Sequence, residues 1–246
     1  MWATQWYDAA RDLFLGGRCV GCDRPGRTLC PGCRSTLPRS ASPAWPTPTP
    51  PGLAPPVAAG AYDGVLKAMI NAHKERGELG LTAPLGELLA VAVRELVEPR
   101  HPGRPAPTVS LVPIPSRAAV VRGRGHDPLL RMTRHAAVRL RRSGVAAHVD
   151  RLLVPVGTVR DQAGLSSTER AVNLKGSLAA RRPTLSTPTC AVLVDDVLTT
   201  GSTAREGQRA LESAGISVFG IAAVAATRRL RRVDSADRLP LSGGCG

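Results

Sequence analysis

The sequence predicts an α/β fold: a parallel sheet flanked by helices, with a small four-cysteine module ahead of it. Short apolar, β-branched runs of strand length alternate with segments of helical periodicity, the pattern of a parallel sheet. One such run, Val192 to Val194, ends in two acids and a turn rich in threonine and glycine before the next helical segment. Four cysteines fall in two C-x-x-C pairs, Cys19-Val20-Gly21-Cys22 and Cys30-Pro31-Gly32-Cys33.

At 246 residues the chain has room for one large domain, or a medium one plus a small one, with a sizeable core. Met1 to Gly17 sets Asp8, Arg11 and Asp12 among apolar residues and lacks the basic start and apolar run of a secretory signal, and nothing reads as a membrane span. A cytoplasmic protein without membrane insertion is expected. The net charge of +14 invites a nucleic-acid partner. Only Lys67, Lys74 and Lys175 are lysines, however, and an Ala/Arg/Pro-rich composition of the kind GC-rich coding produces raises arginine everywhere, so local clusters count for more than the total.

The two cysteine pairs stand seven residues apart, and each contains a glycine that permits the tight turn converging thiolates need. This is zinc-ribbon spacing: Cys19, Cys22, Cys30 and Cys33 suit a closed tetrahedral structural zinc, without which so short a segment has too little apolar content to fold. Disulfides are the alternative, disfavoured in the cytosol. Cys190 reads as a small core residue and Cys245 as part of a Gly-rich tail.

Eight prolines between Pro38 and Pro56 predict an extended linker. The expected organisation is therefore an N-terminal helix and ribbon over 1–37, a linker over 38–57, the main domain over 58–227 and a basic, Gly-rich tail over 228–246. Within the main domain, Val65 to Ala72 and Ala83 to Leu96 show helical periodicity, with Pro84 tolerated in a first turn. Val109 to Pro113 reads as a buried strand, the segment from about Pro128 as a helix, and Ser217 to Ala225 as a further strand. Arg117 to Arg142 holds eight arginines against the single acid Asp127. That stretch is either a solvated helix face or an electrostatic surface for nucleic acid, and with few aromatics for base stacking any such contact would be electrostatic.

The stretch from Ala191 to Thr203 carries the most chemistry. A buried parallel strand ending in Asp195 and Asp196 places carboxylates at the edge of the sheet where open α/β folds bind ligands. Gly201 lets the backbone curl closely, Thr199, Thr200, Ser202 and Thr203 offer hydroxyls, and a helix over Arg205 to Ala214, capped by Ser202 or Thr203, favours a phosphate. The acids would accept from a vicinal diol. An Asp-capped turn with no ligand is the alternative.

This string resembles the signature of type I phosphoribosyltransferases, which bind 5-phosphoribosyl-1-pyrophosphate (PRPP). With the four cysteines, Val112-Pro113-Ile114-Pro115, Arg122-Gly123-Arg124-Gly125, and the segment Gln162-Ala163-Gly164-Leu165-Ser166, Glu169-Arg170 and Asn173-Leu174-Lys175-Gly176, the chain resembles the ComF family of phosphoribosyltransferase-like proteins over about residues 13–37 and 58–227. The resemblance implies that Asp195 and Asp196 meet the ribose hydroxyls directly or through magnesium, and that Thr199, Thr200, Gly201, Ser202 and Thr203 hold the 5′-phosphate. Ser116, Arg117, Arg122 and Arg124 would hold pyrophosphate, although Ala118, Ala119 and Val120 interrupt the family's arginine run and His126-Asp127-Pro128 replaces its usual continuation. A loop over 161–176, with Arg160, Gln162, Glu169, Arg170 and Lys175, would close over the ligand; Glu169 and Arg170 are alternatively a helix-start ion pair. Thr199 stands where purine-salvage relatives often carry a base, which argues against hypoxanthine or guanine as acceptor.

Three functions follow as expectations. The first is a magnesium-dependent phosphoribosyltransferase with an unidentified acceptor, linked through the family to DNA uptake and competence. The second is a non-catalytic accessory protein binding PRPP, single-stranded DNA and a competence ATPase. The third is a PRPP-sensing regulator, disfavoured because no helix-turn-helix is evident.

Overall fold

A computed structural model of the protein describes residues 17–97, 108–116, 126–156, 176–181 and 190–227. In chain order the elements are α1 (Pro31–Ser35), β1 (Ser42–Pro43), β2 (Pro56–Ala61), α2 (Gly64–Glu75), a 3-10 turn (Leu79–Leu81), α3 (Thr82–Val97), β3 (Val109–Pro113), α4 (Pro128–Arg142), β4 (Ala147–Val149), β5 (Leu153–Pro155), β6 (Leu178–Ala180), β7 (Cys190–Leu198), α5 (Ser202–Ser213) and β8 (Val218–Ala226). The expected N-terminal helix and the tail lie outside the described residues.

The main sheet has the order β1-β2-β8-β7-β3-β4, with β1 antiparallel to β2 and every other neighbour parallel. Its centre is the most apolar part of the chain: Val192, Leu193 and Val194 of β7 and Ile221 to Ala225 of β8 have no measurable exposure. Such unbroken apolar runs are what a strand covered on both faces requires. Val192 pairs with Gly220, where a Cβ would lie 2.8 Å from Leu96 Cδ2 of α3. Leu193, pointing the other way, meets Gly207 of α5. The same alternation places Asp196 on the α3 side with Val192 and Val194.

The helices start and stop for local reasons. Asp127 caps α4, its carboxylate accepting from Leu130 N–H at 3.0 Å, and Pro128 occupies the first turn. Leu129, Met132, Ala136 and Leu140 form the buried stripe of α4, while Arg131, Arg134, Arg139 and Arg142 are exposed. α5 begins at Ser202, three residues before the expected start. The preceding residue is Gly201 at φ 73°, so neither Ser202 nor Thr203 is the cap.

The proline-rich segment differs most from expectation. Ser42–Pro43 adds an edge strand, Ala44, Leu53 and Ala54 are buried, and the expected linker's last two residues begin β2. α5 holds the segment down: Gln208 accepts from Ala54 N–H at 2.8 Å and donates to Gly52 O at 2.9 Å, and Arg205 Nε donates to Pro51 O at 3.0 Å. Proline removes main-chain donors and so weakens the signal for regular structure, yet it also lowers the entropy lost on docking.

β5 and β6 form a separate antiparallel pair beside α5. Among the described residues no helix is long and apolar enough to cross a membrane.

Candidate functional site

The cleft forms because β3 and β7 part. They pair in register up to Pro113 and Val194, and Ile114 N–H still reaches Val194 O at 2.9 Å. The pairing goes no further, while β7 runs on beside β8 to Leu198. The exposed flank of β7 begins at the two acids. A cavity of about 440 Å³ opens there, walled by Ile114, Pro115 and Ser116, by Asp195, Asp196, Thr199 and Thr203, and by Pro128 and Leu129 of α4. Val197, Tyr62 and the α2 residues Ile70, Asn71, Lys74 and Glu75 complete it.

Each acid is fixed by the main chain. Asp195 Oδ1 accepts from Asp196 N–H and Asp196 Oδ1 from Val197 N–H, both at 2.8 Å. Lys74 Nζ lies 2.8 Å from Asp196 Oδ2. Burial, then the charge of Asp196, pushes the Asp195 carboxyl up to about 8, despite the N–H of Asp196 and the nearby Lys74. Burial works against the Lys74 ammonium, but Asp196, with Asp195 and Glu75 behind it, outweighs that and leaves its pKa raised.

Behind Lys74, His73 is buried and bonds Thr82 Oγ1 at 2.9 Å through Nε2, tying α2 to the start of α3. Burial, then the fields of His126 and Arg131, brings His73 down to about 4, so it stays neutral near pH 7.

The turn after β7 divides its labour. Thr199 and Thr203 face the cavity. Thr200 and Ser202 bond each other, hydroxyl to hydroxyl at 3.0 Å, and Ser202 N–H reaches Thr200 Oγ1 at 3.4 Å. Gly201 needs glycine twice over: its φ is left-handed, and a Cβ would meet Pro46 Cγ at 3.0 Å, Leu53 Cδ2 at 3.3 Å and Pro50 Cγ at 3.4 Å. The proline-rich segment thus backs the turn.

Of the expected site residues, Ser116, Asp195, Asp196, Thr199 and Thr203 converge on the cavity, with Thr200, Gly201 and Ser202 in the same turn behind it. Arg117, Arg122, Arg124, Arg160, Gln162, Glu169, Arg170 and Lys175 lie outside the described residues. Sequence reasoning missed Lys74, Asn71 and Tyr62. Tyr62 donates its hydroxyl to Asn71 Oδ1 at 2.7 Å, which leaves the Asn71 amide group to donate. The available signal was that Asn71 and Lys74, three residues apart, share one face of a helix, and that Lys74 is one of three lysines in an arginine-rich chain.

The magnesium implied by the resemblance does not fit the acid pair as a resident ion. Three of the four carboxylate oxygens already have donors, one of them an ammonium, whereas magnesium demands an octahedral oxygen shell.

The four cysteines form a second site. Cys19, Cys22, Cys30 and Cys33 have sulfurs all within 4.8 Å of one another, and Cys22 Sγ lies 3.6 Å from Cys30 Sγ. Main-chain N–H groups aim at the sulfurs: Cys30 N at Cys19 Sγ and Cys33 N at Cys30 Sγ, both at 3.4 Å. Burial opposes the Cys19 thiolate, but the N–H groups of Cys30, Gly21 and Cys22 outweigh it and bring that thiol down to about 6. Burial and the neighbouring sulfurs push Cys33 up to about 12. Gly21 is required because a Cβ would sit 2.9 Å from Cys33 Sγ. This donor set fits a tetrahedral thiolate-bound metal such as zinc. Val65 of α2 packs on the cluster, and Arg34 pairs with Glu87 of α3 at 2.8 Å, so the cysteine module is seated on the main domain.

No protein-family model matches the chain, and no curated protein does. Among solved structures, it is similar to the adenine phosphoribosyltransferase of Leishmania donovani, at 15% identity and a TM-score of 0.34 over 78% of this chain and 67% of that one. It is similar also to that of Leishmania tarentolae, at 16% identity and a TM-score of 0.31 over 74% and 68%.

Proposed function

We propose that the cleft binds PRPP and that the protein transfers its phosphoribosyl group to an acceptor with release of pyrophosphate. The observation that carries this reading is the convergence of an acid pair, two threonine hydroxyls and a helix start at the carboxyl end of one parallel strand. Asp195 and Asp196 accept from the 2′- and 3′-hydroxyls. Thr199 and Thr203, with the first turn of α5, hold the 5′-phosphate. Ser116, and the arginines that follow it in sequence, take the diphosphate. In the transfer the bond from the anomeric carbon to the diphosphate oxygen breaks, the diphosphate leaves with the electron pair, and the acceptor's lone pair forms the new bond. The chain's part is to position the sugar and balance charge around an oxocarbenium-like centre.

Zinc in the Cys19, Cys22, Cys30 and Cys33 site is structural in this reading, since four thiolates leave no open position. Magnesium belongs with the ligand's diphosphate rather than with the acid pair. A link to competence rests on the family resemblance.

Calorimetric titration of PRPP with magnesium into wild type and into Asp195→Ala/Asp196→Ala tests the reading. Binding by wild type that the double variant loses supports it; no binding by folded, zinc-loaded wild type overturns it. Given binding, pyrophosphate release in the presence of candidate acceptors separates a transferase from a non-catalytic binder.

A second reading, a PRPP- and single-stranded-DNA-binding accessory protein, is favoured by the exposed Arg131, Arg134, Arg139 and Arg142 on α4, whose first turn lines the cleft. It predicts salt-dependent binding that survives Asp195→Ala and fails on charge reversal of those four arginines.

A further inference from the structure

The acid pair is already occupied by a cation of the chain's own. Lys74 Nζ stands 2.8 Å from Asp196 Oδ2, while Asp196 Oδ1 is engaged by Val197 N–H and Asp195 Oδ1 by Asp196 N–H. A divalent ion approaching the pair would meet an ammonium in the position it needs and few uncommitted oxygens to bind. We propose that Lys74 is the resident cation of this cleft: its ammonium holds Asp196 in the ligand-free protein, where a divalent ion would otherwise bind, and passes to the ligand's diphosphate when the ribose hydroxyls claim the acids. The second half rests on reading the cleft as a PRPP site; the first half does not.

The residue type suits the task. Among 33 basic residues only three are lysines, so arginine was the composition's default at this position. An arginine fork would clasp the carboxylate through two parallel bonds, whereas a lysine is a single point charge on a flexible stem that can change partners. The stem has freedom to move, since the Lys74 side chain is 38% exposed against 12% for Asp196. Its base is fixed: Lys74 lies in the last turn of α2, where a cation is favoured, and the next residue back is anchored to Thr82. Asn71, one turn earlier, faces the same cavity.

The test uses two probes on the full-length, zinc-loaded protein: Mn²⁺ alone, followed by electron paramagnetic resonance, and PRPP, followed by calorimetry. Wild type is expected to show no Mn²⁺ site at the acid pair without PRPP. Lys74→Met is expected to create one, and Lys74→Met/Asp196→Asn to lose it again. Lys74→Met should also bind PRPP roughly 10- to 100-fold more weakly, the range for losing a charged hydrogen bond, with Lys74→Arg in between. Thermal melts of both single variants confirm that each is folded, as expected for a partly exposed side chain. Two results overturn the proposal: wild type binding Mn²⁺ alone as well as Lys74→Met does, or Lys74→Met binding PRPP as tightly as wild type. Wild type that fails to bind PRPP overturns the reading of the ligand, and the Mn²⁺ comparison then still decides whether Lys74 holds the cation's place.

Discussion

Glu206 and Arg209, one turn apart on α5, form a two-pronged ion pair: Arg209 Nε donates to Oε2 and Nη2 to Oε1, each at 2.7 Å. The same groups clasp β6. Glu206 Oε1 accepts from Leu178 N–H at 3.1 Å, and Arg209 Nη2 donates to Leu178 O at 2.9 Å. The pair therefore fastens the antiparallel β5–β6 pair to the helix whose start forms the candidate phosphate site.

Arg209→Ala strands a carboxylate that is only 5% exposed and should cost about 2–4 kcal/mol. Burial opposes the Glu206 charge, but Arg209 and the Leu178 N–H outweigh it and lower its pKa. The stability this supplies is present above the unfolded value near 4.5 and is lost as pH falls through the lower folded value. Urea unfolding of wild type and Glu206→Gln at pH 7 and pH 4 checks this. The variant is expected to lose stability at pH 7 and to show a shallower acid decline; parallel curves would count against it.

Asp195 has the opposite sign. Its folded pKa of about 8 lies above the unfolded 3.8, so between those values the folded protein keeps a proton that the unfolded chain has released. Stability from this group therefore falls as pH rises from about 4 to about 8. Asp195→Asn is expected to melt at a higher temperature than wild type at pH 8, to converge with it near pH 4, and to lose ligand binding throughout. Equal melting points at pH 8 would refute it.

Gly201→Ala combines a left-handed backbone with a Cβ 3.0 Å from Pro46 and should destabilise by about 1–3 kcal/mol while weakening PRPP binding. Gly144→Ala is the control. Its φ is 87° but nothing lies within 4 Å, so only the backbone cost of about 1 kcal/mol remains and binding is untouched. Melting curves and PRPP titrations of the two variants should separate accordingly.

Metal in the cysteine site should raise the melting temperature, and cobalt substitution should give the tetrahedral thiolate spectrum at one ion per chain. Cys30→Ser should abolish that spectrum and expose residues 17–37 to protease while leaving the sheet's circular dichroism in place. Of the four thiols, the exposed Cys22 should be alkylated first in the metal-free protein.

Much of this was legible in the sequence, and the exceptions have physical causes. Val109–Pro113 announces itself as a short apolar run ending in proline, and α3 and α4 do so because their apolar positions repeat at the helical period with a proline in the first turn. The strand carrying the acids was visible as Val192 to Val194, but it continues to Leu198 because β8 supplies partners beyond the acids. The short β1, β4, β5 and β6 are three residues or fewer, too brief for any period. The acid pair was readable because strand, carboxylates and turn are contiguous. Lys74 was not, because its partner lies 122 positions away and only the packing of α2 over the cleft brings the two together.

The docked proline segment sets where the chain can be cut. A fragment begun at residue 58, where composition suggests a domain should start, would lose the edge strand at Ser42–Pro43 and the first two residues of β2. It would also bare the buried faces that Ala44, Leu53 and Ala54 cover, and remove the backing of Gly201. Such a piece would be prone to aggregate along its newly opened edge, and its failure to bind a ligand would say nothing about the acids it still contains. The shortest useful expression product begins upstream of the cysteines.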